Sequence, residues 1–335
     1  MNRALPRADL PESQRPDDAA QAETRRIRSP HEKSPATASL SGMRQRLISA
    51  AVLVPVVVAV FLAGQPWLTF GIAALAALAG YETAQLTRSA GLPANRWIAV
   101  AVPPVAVLGV AVAAVPGGNW AFQSDDWVFV APAVALWFIG CALVAIRTAE
   151  AADGFRAWVG TAFASLYPSL LAFTAATGVL SWNVTVTNDV ISVFDRGRLW
   201  LLVLVLTVWS LDSAAYVVGR YFPRGLFMHH ISPKKTWSGA LGGTVAAVAV
   251  CTLLLAVTNA APPHAGVVIG IAVAVAAQAG DLAESMLKRA AGAKDSGTLI
   301  PGHGGILDRV DSFLFAGPVI YAAMLLLLFN ADIAR

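Results

Sequence analysis

The sequence predicts an all-α polytopic membrane protein of about nine transmembrane helices, N-terminus cytoplasmic, with a polar cavity at the cytoplasmic face. Three observations predict it. Of 335 residues, 57% are hydrophobic and only 13% charged, and the mean hydropathy is +0.63; soluble domains average roughly 45–50% apolar and 25% charged. Apolar runs recur at close to the ~20 residues a helix needs to cross the hydrocarbon core. Loops rich in Lys and Arg alternate with loops nearly free of them, as the positive-inside rule requires.

Residues 1–42 are polar, rich in Pro, Ser, Asp, Glu and Arg, and lack apolar periodicity, which predicts a disordered cytoplasmic tail. No apolar core follows the first charges until Leu47, so this is not a signal peptide. N-terminal membrane helices occupy 43–200, and 201–335 is the region that carries chemistry. The predicted helices are 46–64, 67–86, 96–115, 127–147, 157–180, 198–219, 239–258, 265–288 and 312–330. Basic loops at Arg88 and Arg96, at Arg147 and Arg156, at 220–235 and at 288–309 alternate with the poor loops 64–66, 115–126 and 258–264. Loop 181–198 departs from the rule by carrying Arg196 and Arg198, and its Asn183-Val-Thr185 sequon is read as accidental. Cys141 and Cys251 lie in apolar segments and read as small buried hydrophobes, not as a disulfide. The net charge of +4 resides mainly in short loops, so it reads as topology and phosphate affinity and not as nucleic-acid binding.

Against this background, 278–311 concentrates ionisable residues. Asp281, Glu284, Ser285 and Lys288 fall at i, i+3, i+4 and i+7, one face of a helix. Arg289, Lys294 and Asp295 follow, then the Gly-rich Pro301-Gly-His303-Gly304-Gly305, then Asp308, Arg309 and Asp311. Carboxylates at the end of a membrane helix mark a cavity or the aqueous boundary. With cations and a Gly-rich turn they suit a divalent metal bridging phosphates. A second constellation precedes it. Asp212 lies inside an apolar segment, with Tyr216 and Gly219 on the same helical face; an idle Asp there costs about 2.5–3.5 kcal/mol. Ser232-Pro-Lys234-Lys235-Thr236 then opens the next helix, a natural phosphate cradle that lacks the GK[ST] lead of a P-loop. Both polar loops, 221–237 and 288–309, fall on the same, cytoplasmic face by the loop alternation.

The run Ser285-Met-Leu-Lys288-Arg289, Lys294-Asp295, Pro301-Gly-His303-Gly304-Gly305 and Asp308-Arg309-Val-Asp311 resembles the signature of the phosphatidate cytidylyltransferases, or CDP-diacylglycerol synthases. The Asp212 helix ending in Gly219-Arg220, the Ser232–Thr236 loop and the Tyr81-Glu82 pair resemble further elements of that family. One departure stands out: Ser238 occupies the place of the family's acidic residue before the glycine. If that acid binds metal or orients a lysine, another residue takes its role, Glu284 being one candidate.

The resemblance implies the reaction CTP + phosphatidic acid → CDP-diacylglycerol + pyrophosphate, with Mg²⁺ as cofactor, in the bacterial inner membrane, by a homodimer. A second, monovalent cation leaves no mark in the sequence. Both reactants are polyanions, so catalysis needs alignment and charge neutralisation. Asp281, Asp308 and Asp311 are the expected metal ligands, with Asp212 and Glu284 weaker assignments. Lys234, Lys235, Lys288, Arg289 and Arg309 are expected to hold phosphates, helped by Ser232, Thr236, Lys294, the Gly304 and Gly305 amides, and His303. Two rivals remain. A CTP-dependent enzyme acting on an isoprenoid or ether-lipid phosphate would show the same site residues. A secondary transporter would also carry intramembrane carboxylates, but here they gather at one face and no repeat relates the two halves.

Overall fold

Ten helices follow one another in the computed structural model, which describes residues 35–113, 127–179, 196–302 and 304–333. They are α1 (Pro35–Ala63), α2 (Trp67–Ser89), α3 (Arg96–Ala113), α4 (Trp127–Ala145), α5 (Ala151–Ser169), α6 (Leu171–Val179), α7 (Arg196–Tyr221), α8 (Trp237–Val257), α9 (Pro263–Ala290) and α10 (Leu307–Ile333). Among the described residues there is no strand, only the isolated bridges Leu226–Thr236 and Ile300–Gly304. Of the disordered tail predicted for 1–42, residues 1–34 lie outside the described residues, as does most of loop 181–198, while 35–42 belong to helix α1.

Among the described residues, six helical stretches are long and apolar enough to cross a membrane: Trp67–Ser89, Ala151–Val179, Gly197–Tyr221, Trp237–Val257, Pro263–Ala290 and Leu307–Leu327. Three of the nine predicted spans correspond to shorter apolar helices, Ala51–Ala63, Arg96–Val110 and Pro132–Ala145. The span predicted at 157–180 is two helices. Its break follows Pro168, whose ring removes a backbone donor, and Leu170 N–H closes a tight turn onto Tyr167 O. Helix α10 starts earlier than the predicted 312, because the polar Asp308–Ser312 segment is its first turn rather than its approach.

The chain divides into two units, Met1–Ile48 and Ser49–Arg335, and the packing that follows is that of the second. Helix α8 packs between α7 and α9, α9 packs on α10, and α2 packs on α3 and α5. One core cluster joins Leu204 of α7, Leu255 of α8, Val273 of α9 and Ile320 of α10. The other joins Ala76 of α2, Val107 of α3, Leu171 of α6 and Leu314 of α10. Helix α10 therefore belongs to both, and its N-terminus is held by the N-terminal and C-terminal halves together. Many large apolar side chains face outward, among them Trp97, Leu136, Leu241, Val268 and Leu326. A surface of that kind is what lipid as solvent permits. Cys141 and Cys251 are buried and unpaired, in keeping with their sequence reading.

Candidate active site

The residues of the two polar constellations meet at a cavity of about 590 Å³ between α7, the start of α8, and the adjoining ends of α9 and α10. Asp212, Tyr216 and Gly219 of α7 all line it, as their shared helical face predicts.

Across from them the chain enters α8. Thr236 is the N-cap, its hydroxyl accepting from Gly239 N–H at 3.1 Å. The Leu226–Thr236 bridge and the bond from Phe227 N–H to Lys235 O (2.9 Å) fold the loop back on itself. Phe227 meets Trp237 edge to face, 4.5 Å between ring centroids. So fixed, Lys234, Lys235 and Thr236 line the cavity, and Lys235 Nζ lies 2.7 Å from Asp281 Oδ2 on α9. Ser238 turns to a different task. Its hydroxyl donates to Phe222 O (2.6 Å) and accepts from Arg224 N–H (3.1 Å), stapling the loop to α8. It is not among the cavity residues, so the cavity here is built without a side chain at that position.

Helices α9 and α10 supply the other wall. Gly280 lies against the backbone carbonyl of Asp311, and a Cβ there would fall 2.5 Å from that oxygen. This close approach brings the neighbouring Asp281 into the cavity that Asp311 also lines. Ser285 Oγ lies 3.4 Å from Asp281 Oδ1, one turn away. Glu284 is fully buried behind the cavity and pairs with Lys288. Lys288 Nζ also lies 2.6 Å from Asp308 Oδ1, so it bridges two carboxylates, one on each helix.

Asp308 is heavily engaged. Its Oδ2 accepts from Ser296 N–H and Gly305 N–H, each at 2.9 Å, and lies 2.9 Å from Ser296 Oγ. Arg289, expected to hold phosphate, donates to Ile231 O (3.3 Å) and Ala293 O (3.1 Å). Arg309 lines the cavity. Ser232, Arg289, Lys294, Gly304 and Gly305 are not among the lining residues, and His303 lies outside the described residues. Residues that the sequence left without a role also line it: Arg220, whose guanidinium donates to Tyr216 Oη at 2.8 Å, and Gln278, which donates to Thr244 Oγ1 at 3.0 Å. Helical spacing signals both, since Arg220 follows Tyr216 by four residues and Gln278 precedes Asp281 by three.

Among the described residues no three His, Cys, Asp or Glu form a ready-made metal site. The cavity nonetheless presents the carboxylates of Asp212, Asp281, Asp308 and Asp311; of the expected ligands, Asp308 already has both oxygens engaged, by Lys288 and by the Ser296 and Gly305 amides. That donor set fits a hard cation that takes one or two protein carboxylates and completes its shell with water and substrate phosphate.

The fold and site define an integral membrane protein whose apolar helices gather paired lysines and carboxylates at one cavity. The chain belongs to the cytidylyltransferase family, whose model matches residues 44–327. Among curated relatives, the phosphatidate cytidylyltransferase of Brucella suis is 50% identical over 122 residues, 36% of this chain and 45% of that one. The Bacillus subtilis phosphatidate cytidylyltransferase is 42% identical over 135 residues, 40% of this chain and 49% of that one. The Synechocystis phosphatidate cytidylyltransferase is 41% identical over 141 residues, 40% of this chain and 46% of that one. Each match thus spans just under half of the relative's length.

Proposed function

We propose that the protein is a CTP:phosphatidate cytidylyltransferase, making CDP-diacylglycerol and pyrophosphate. The observation that carries this reading is the pair of lysines, Lys235 and Lys288, each held by a carboxylate beside one cavity, in a chain of the cytidylyltransferase family. The names of the relatives add the lipid.

In the reaction a phosphate oxygen of phosphatidic acid attacks the α-phosphorus of CTP. A new P–O–P bond forms as the bond to the β-phosphate oxygen breaks, and pyrophosphate leaves with that electron pair. Phosphate is already ionised near neutral pH, so no protein base is required. Lys234, Lys235, Lys288 and Arg309 hold the anionic oxygens and lower the repulsion between the two reactants. Asp281 and Asp311 would hold Mg²⁺, with Asp212 as a further oxygen donor, and a cation bound there would supply charge neutralisation for the triphosphate. Asp308 acts on Lys288 and on the loop at Ser296 and Gly305, fixing where the ammonium stands. Arg220 and Tyr216, exposed at the cavity's edge beside the outward-facing Tyr221, Phe222 and Trp237, receive the lipid phosphate from the bilayer side.

The six long apolar stretches and the three shorter apolar helices are read as nine spans with the N-terminus inside, which would set the cavity on the cytoplasmic face where CTP is found. The chain works in the bacterial inner membrane as a homodimer. Pyrophosphate release from CTP by the purified protein, dependent on phosphatidic acid and on Mg²⁺, tests this reading. Release with an isoprenoid phosphate but not with phosphatidic acid would reassign the lipid.

A further inference from the structure

Glu82 stands on α2, more than 200 residues before the motif it touches. It is 1% exposed, and among the described residues no Lys or Arg pairs with it. Its carboxylate is satisfied instead by donors from the catalytic half. Oε1 accepts from Ile306 N–H at 3.0 Å, and Oε2 accepts from Leu307 N–H at 2.8 Å and from the hydroxyl of Ser296 at 2.9 Å. Leu307 begins α10 and Ile306 immediately precedes it, where unpaired amides and the helix dipole favour a negative charge.

The rest of that terminus is also closed by side chains. Gly305 N–H goes to Asp308 Oδ2 at 2.9 Å, and Asp308 N–H goes to Ser296 Oγ at 3.2 Å. Four successive amides, 305 to 308, are thus taken up by Glu82, Ser296 and Asp308. None of them is left for a phosphate, the usual occupant of such a terminus. The glycines around it serve this closure. A Cβ on Gly305 would run into Ser296 Oγ and the Glu82 carboxylate, and one on Gly297 would run into Glu82 as well. Ser296 lies 2.9 Å from both Glu82 Oε2 and Asp308 Oδ2, and Asp308 holds Lys288 by its other oxygen.

We propose that Glu82 is a positioning residue for cytidylyl transfer: it anchors the start of α10 and, through Ser296, sets the Asp308–Lys288 pair at the cavity. The N-terminal half therefore contributes a buried carboxylate to the geometry of the site, beyond supplying membrane helices. The proposal rests on the cytidylyltransferase reading above.

The test compares wild type with Glu82→Gln, Ser296→Ala and the double variant, purified in detergent and matched for monodispersity. A Gln amide must turn its NH₂ toward an N–H or hydroxyl donor, so the anchor is lost while the volume stays. Expected is a fall of about 100-fold in kcat, the size that a misplacement of about 1 Å produces, with KM for CTP within about 3-fold. The double variant should be no worse than the poorer single one, because the two side chains act as one unit. Hydrogen exchange at amides 305–308 should speed up in Glu82→Gln. Folded Glu82→Gln with kcat within about 2-fold of wild type, or with its loss confined to KM, overturns the proposal. Should Glu82→Gln fail to fold, Ser296→Ala decides: unchanged kcat with unchanged exchange overturns the proposal, and reduced kcat at unchanged KM upholds it. A wild type that releases no pyrophosphate removes the cytidylyltransferase reading itself, a result distinct from an active wild type with an equally active variant.

Discussion

Lys288 stands between two carboxylates, its ammonium 2.6 Å from Asp308 Oδ1 and paired on the other side with Glu284. Glu284 is fully buried and Lys288 only 12% exposed, so this lysine joins α9 to α10 as well as facing the cavity. Lys288→Met should therefore lower stability in addition to activity, since removing one partner of a buried pair costs about 3–5 kcal/mol. Thermal unfolding in detergent checks this. The double variant Lys288→Met/Glu284→Gln should recover most of the stability and none of the turnover. A single variant as stable as wild type would contradict the pairing.

Asp281 and Asp311 reach the cavity from helices that touch at Gly280. If they share the Mg²⁺, Asp281→Asn and Asp311→Asn should each raise the Mg²⁺ concentration for half-maximal activity by at least about 10-fold. Mn²⁺ binding followed by electron paramagnetic resonance, with CTP present, provides a readout apart from turnover. Equal Mn²⁺ affinity in wild type and both variants would remove these aspartates from the metal.

The contact at Gly280 leads to its own expectation. Gly280→Val places a branched side chain against the Asp311 carbonyl, and overpacking of this kind costs about 1–3 kcal/mol. The loss of activity should exceed the loss of stability, because the two helices carry the cavity's carboxylates. Unfolding and turnover measured on one preparation separate the two effects.

Ser238 closes the loop before α8 and is absent from the cavity lining. Ser238→Ala should lower stability by about 1 kcal/mol, the net worth of an ordinary hydrogen bond, and leave the Mg²⁺ requirement unchanged. A shifted Mg²⁺ requirement would mean that Ser238 acts on the metal after all.

Much of this site was legible in the sequence because helical spacing carries over directly into a shared face. Asp212, Tyr216 and Gly219 line one cavity, as do Asp281 and Lys288, and the two basic loops meet there. Arg289 shows where local spacing stops: it reaches the Ala293 carbonyl four residues on, but gives no sign of the Ile231 carbonyl 58 residues earlier in the chain. The Gly-rich turn shows the same limit. Glycines at 304 and 305 signal a close approach of the backbone, but the sequence does not say to what, and at Gly305 the neighbour is Glu82 from α2. Tertiary contacts across 214 residues or more leave no periodic trace. In the membrane part, composition revealed apolar helices readily, while the break after Pro168 and the earlier start of α10 depended on caps and turns.

The most direct test of the account is lipid-dependent release of pyrophosphate from CTP by the purified protein, run beside Asp308→Asn. The account predicts release with phosphatidic acid and Mg²⁺, its abolition by EDTA, and near-complete loss in the variant. A folded wild type that releases no pyrophosphate with phosphatidic acid would contradict it.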